Sequence, residues 1–133
     1  AVIGMMRQLD ADLAKQSGEH FVAIRARFTA GINELEKAAT WIVENYGKDV
    51  RATSVGAVPF LWLFGIVAGG WQMARAALVA QARIDGGDQD PFFPAKIITT
   101  RFFADHQLTR AAGLAVTVMD GAAGALALEE SMF

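Results

Sequence analysis

At 133 residues the chain is one domain's worth, against a usual domain size of about 100–200 residues. Hydrophobic residues make up 53% and the formal net charge is −2, so there is no basic surplus to neutralise phosphates, and nucleic acid is not an expected partner. Cysteine is absent, which excludes a disulfide framework and thiolate metal sites and fits an intracellular, cytoplasmic setting.

The first segment, AVIGMMRQLD, has no basic stretch ahead of an apolar core, so it does not read as a signal peptide. It starts mid-pattern and without an initiator Met, as a piece of a longer chain would. Val2, Met5, Met6, Leu9 and Leu13 form a short helical stripe that Ser17-Gly18 interrupts. Ser17 is the expected N-cap of the next helix, with Glu19 in its first turn.

The second helix has the clearest pattern. Phe21, Ile24, Phe28, Ile32, Leu35, Ala39, Ile42 and Tyr46 step by three or four, opposite a charged side carrying Arg25, Arg27, Glu34, Lys37 and Glu44. Gly47 is the expected left-handed stop.

A third helix starts between Val50 and Val58 and runs to about Ile84, where Gly86-Gly87 ends it. Pro59 either occupies its first turn or kinks it. From Ala52 to Ala74 there is no charged residue and no histidine, which is long enough for a membrane span. Four features favour a soluble bundle instead. Pro59 and four glycines lower the helix propensity. Gln72 sits near one end. The later part regains charge at Arg75 and Arg83. The neighbouring amphipathic helices need an apolar partner. A central, buried helix and no membrane are therefore expected.

Asp90 and Pro91 read as N-cap and first residue of a fourth helix, running through Ile97, Ile98, Phe102, Leu108, Leu114 and Met119. Arg101 and Asp105 are placed to pair on its wet side. GAAGALALEESMF is a short extra helix or a frayed end. Connections are short, so the expected fold is all-α: an up-down bundle of about four helices with a short C-terminal helix, in one domain spanning residues 1–133.

Reaction chemistry is missing. His20 and His106 fall on different helices and neither belongs to a Glu-x-x-His pair, so a metal centre is not expected. There is no nucleophile elbow, Walker motif or dinucleotide fingerprint. Two features on the third helix remain as packing or docking faces. Gly65 and Gly69 have the small-xxx-small spacing that lets helices approach closely. Phe60, Phe64 and Trp71 form an aromatic flank together with Val67, expected as core and, if exposed, a docking patch.

The ordered segments GAVPFLWLFGIVAGGWQMARAAL, FFPAKIITTRFFADHQL and AAGLAVTVMDGAAGALAL, preceded by ELEKAATWIVENYGKD, resemble the C-terminal extension of large bacterial acyl-CoA dehydrogenases of the methylmercaptopropionyl-CoA dehydrogenase group. The resemblance implies a parent enzyme that uses FAD to convert an acyl-CoA to a 2-enoyl-CoA. It implies a helical extension that packs on the catalytic core domains of the same polypeptide and shapes a homo-oligomer, favouring a dimer. No catalytic or flavin-binding residue is carried over, so the piece alone is expected to be inactive. The alternatives from the residues themselves are a free-standing module that self-associates through Gly65 and Gly69, and a membrane-anchored helical protein.

Overall fold

The computed structural model describes residues 1–133 and contains helices and no strands. Its α-helices are α1 (Val2–Leu13), α2 (Glu19–Tyr46), α3 (Val50–Val55), α4 (Ala57–Asp85), α5 (Phe92–His106), α6 (Ala111–Asp120) and α7 (Ala122–Ala127). Short 3-10 turns lie at Leu108–Arg110 and Glu130–Met132.

The helix ends follow local chemistry, with shifts from expectation. The N-cap of α2 is Gly18, whose carbonyl accepts from Val22 N–H, and no side chain caps it, so Ser17 does not take that role. Gly47 closes α2 with right-handed backbone, φ −78°, rather than a left-handed stop. The left-handed stop falls instead after α4. Gly87 has φ +92°, its N–H bonds to the Ile84 carbonyl, and Asp88 N–H bonds to the Arg83 carbonyl, both at 3.0 Å. This 6→1 and 5→2 pairing satisfies carbonyls the helix leaves open. Asp90 accepts Phe92 N–H at 2.9 Å, but the helix begins at Phe92, so Pro91 rather than Asp90 holds the N-cap position and no side chain caps it.

The third expected helix is α4, which starts at Ala57, inside the expected range, with a separate short helix, α3, ahead of it and divided from it at Gly56. Asp49 starts α3 by accepting Ala52 N–H at 3.0 Å. Pro59 lies in the first turn of α4, where its ring excludes the carbonyl four residues back, that of Val55, and α3 ends at Val55. The fourth divides after His106, where Arg110 N–H bonds to the Gln107 carbonyl in a 3-10 turn.

Ion pairs and glycine contacts set the packing. Arg7 meets Glu36 at 2.7 Å and Thr29 donates to Asp10 at 2.6 Å, so α1 runs antiparallel to α2. Leu108 reaches Gly31 of α2 and Gly70 of α4. Thr100, buried on α5, bonds to the Lys96 carbonyl at 2.9 Å and reaches the Met73 carbonyl of α4 at 3.2 Å. The α5–α6 rod thus lies against both α2 and α4, while α1 fills the opposite groove between those two helices. The result is an all-α up-down bundle in which α5 and α6 together form the fourth rod, and the short α7 packs on α3.

The core is aliphatic and small-residue rich. From α2 it takes Phe21, Ile24, Phe28, Ile32 and Leu35, as the periodicity predicts, but Ala38 replaces Ala39, and Tyr46 is exposed. From α4 it takes Leu63, Val67, Gly70, Ala74, Ala77 and Ala80. These define one side of α4 only. In the most apolar 18-residue window of that helix, 22% of residues are buried. The expected burial on every side is not what the fold provides.

A candidate docking surface on α4

The bare side of α4 lies in its N-terminal half, where the sequence is free of charge. Leu61 is 66% and Trp62 57% exposed, and Phe64 is 36% exposed. The aromatic flank therefore divides. Val67 is fully buried, Phe60 and Trp71 are half-buried against the core, and Phe64 faces outward. The guanidinium of Arg75 sits over the Trp71 ring at 6.0 Å and covers part of it.

The glycines divide as well. A Cβ on Gly69 would come 3.1 Å from the Phe103 ring, and one on Gly70 would come 2.8 Å from a Leu108 methyl. Around Gly65 there is nothing within 4 Å. Gly69 and Gly70 are thus the residues that admit α5 and the turn after it, whereas Gly65 faces open space. Between α4 and that turn lies a groove of about 470 Å³, lined by Leu61, Trp62, Gly65, Ile66, Gly69, Phe103 and Arg110. Leu61, Trp62, Ile66, Phe103 and Arg110 were not legible as a group from sequence. On a helix apolar all round, no periodicity marks the side that faces out. Phe103 and Arg110 join the groove across the bundle.

A larger hollow of about 600 Å³ runs along α1 and α2 beside Leu13, Arg25, Thr29 and Asn33. Its main polar groups are already engaged, since Thr29 and Arg25 both approach Asp10, at 2.6 Å and 3.4 Å. The histidines are apart. His20 Nδ1 lies 3.3 Å from the Arg101 guanidinium, and His106 stacks on Phe102 with centroids 4.1 Å apart. Arg101 pairs with Asp105 at 3.3 Å, as its spacing predicts. No group of three His, Asp or Glu side chains is gathered as a metal site would need. All fully buried side-chain N and O atoms have hydrogen-bond partners.

Comparison with known proteins agrees with the sequence resemblance. Residues 4–129 match a family described as acetyl-CoA dehydrogenase C-terminal like. The chain is 36% identical over 95 residues to the 3-methylmercaptopropionyl-CoA dehydrogenase of Ruegeria pomeroyi. That match takes in 71% of this chain but 15% of the relative's length.

Proposed function

The chain belongs to the acetyl-CoA dehydrogenase C-terminal-like family, and on that premise we propose that it is the accessory C-terminal domain of an FAD-dependent acyl-CoA dehydrogenase. In such an enzyme FAD would supply the hydride acceptor for conversion of an acyl-CoA to a 2-enoyl-CoA. The acid–base and flavin-binding groups belong to the remainder of the polypeptide. This domain packs on that catalytic part and shapes how subunits associate, in a cytoplasmic, homo-oligomeric enzyme.

The observation that carries the docking role is the uncovered apolar stripe on α4, at Leu61, Trp62 and Phe64. Monomers rarely leave such side chains contiguous without a use for them. Its length and composition would also suit a membrane. Against lipid stands the way α4 uses its other side, burying Gly70, Ala74 and Ala77 in contact with amphipathic helices.

The test is to purify the whole gene product, the same product ending before Ala1, and residues 1–133 alone. The whole product is expected to carry stoichiometric flavin and to reduce an electron-accepting dye when given acyl-CoA. The version without this domain should melt at lower temperature or change its oligomeric state. Residues 1–133 should do neither chemistry. Flavin absorbance with acyl-CoA-dependent dye reduction by residues 1–133 alone would overturn the assignment.

A further inference from the structure

We infer that the groove between α4 and the α5–α6 turn seats an amphipathic helix from the remainder of the same polypeptide, with an apolar side chain over Gly65 and a carboxylate against Arg110. The inference rests on the preceding proposal that this domain is part of a larger enzyme.

The shape comes from the floor and walls. Gly65 has open space above it, Gly69 is closed by Phe103, and Trp62 stands at the side. A gap over a glycine between aromatic walls suits one inserted side chain. The groove follows α4 from Leu61 to Gly69, about 12 Å at 1.5 Å per residue, or roughly two turns of a helix laid alongside. Helix-in-groove recognition anchors at positions three or four apart, which that length accommodates.

The charge comes from Arg110. It is the one charged residue lining the groove. Its guanidinium donates to the Gln107 side chain at 3.2 Å, and none of the six ion pairs in the structure includes it. An apolar channel with a single unpaired cation at its rim calls for an apolar ligand carrying one anion. A carboxylate there gains a charge-assisted hydrogen bond and fixes the register of the helix.

The source follows from the preceding proposal. The match covers 15% of the relative's length, so the partner nearest at hand is the remainder of the same polypeptide, where covalent linkage raises the effective concentration to roughly millimolar. Such a helix would cover the exposed apolar side chains of Val58, Leu61, Trp62 and Phe64.

The whole gene product, bearing Arg110→Lys, tests this. The substitution keeps the charge and supplies an amine for zero-length carbodiimide coupling. The expected product joins position 110 to an Asp or Glu outside residues 1–133. In parallel, hydrogen exchange of the Leu61–Gly69 amides is compared among whole-product variants. Gly65→Ala, whose methyl takes part of the space assigned to the inserted side chain, should speed exchange by less than Gly65→Glu does. Gly65→Glu, which places a charge in the groove without meeting any atom of this domain, should speed exchange at least tenfold. Gly4→Glu, on the exposed side of α1, should leave it unchanged. Coupling to a carboxylate within residues 1–133 of a second, isotopically labelled copy would overturn the inference, as would exchange indifferent to Gly65→Glu. Flavin absorbance and dye reduction on the same samples separate the two claims. An active flavoenzyme with no coupling overturns the groove assignment alone. Coupling in a product without flavin overturns the enzyme assignment alone.

Discussion

Gly65, Gly69 and Gly70 of α4 lie within two turns of the helix and have different roles. Gly70 lies under Leu108, where an added Cβ would come 2.8 Å from one methyl and 3.0 Å from the other, and Leu108 is itself buried in the core. Overpacking of this kind costs about 1–3 kcal/mol, offset in part by the roughly 0.5–1 kcal/mol of helix propensity a methyl brings. Gly70→Ala is therefore expected to destabilise the chain by about 1 kcal/mol. Gly65→Ala, with nothing to strike, should stabilise it by about 0.5–1 kcal/mol. Denaturant melts of the two variants read the difference directly, and two shifts of the same sign would contradict the packing assigned to them. Leu108→Ala removes the wedge itself and should cost about 2–5 kcal/mol, the usual range for an emptied aliphatic site in a core.

At the level of elements, the informative features are the two breaks. The first is local in origin. Asp49 nucleates α3 and Pro59 stops it from merging into α4. Asp49→Ala should cost about 1 kcal/mol through the lost cap, and hydrogen exchange should rise at Ala52–Val55 before any other helix opens. Exchange rising equally everywhere would mean that α3 is part of the global unfolding unit. The second break has no local signal. Ile97, Thr100, Ala104, Leu108, Ala111, Ala115 and Val118 are all buried and step by three or four without interruption, so the pattern is that of one long helix. The 3-10 turn at Leu108–Arg110 is where the chain bends while Leu108 stays inserted between α2 and α4. Helical periodicity records which residues face inward. It does not record whether the axis stays straight.

For the molecule as a whole, stability rests on the apolar seam and very little on charge. Every ion pair keeps at least one substantially exposed side chain, Arg7–Glu36 both, although Asp10 in its pair with Arg25 is largely buried. Such pairs typically contribute about 0–1 kcal/mol and are screened by salt. Raising NaCl from about 0.1 M to 1 M should therefore change unfolding free energy by less than about 1 kcal/mol. A large loss of stability in salt would show that the charge network around Asp105 and Asp10 contributes more than its exposure suggests. The same balance bears on solubility. A chain that leaves Leu61 and Trp62 bare while remaining charged on α2 and α5 should partition to water in a detergent phase separation, and partition to detergent would favour lipid as the cover for α4.

The sequence alone determined the helical class, the order of the long helices, the inward face of α2, the glycine stop after α4 and the family. Each of these is written in short-range terms: spacing of apolar residues, caps, turn residues and the ordered combination of segments. What the tertiary structure decided is which side of α4 is bare. A helix apolar all round carries no mark of its outward face, because only its neighbours assign one. Leu108 and Phe103 claim Gly70 and Gly69 from across the bundle, Gly65 is left open beside Arg110, and the groove arises from residues more than forty positions apart in the chain.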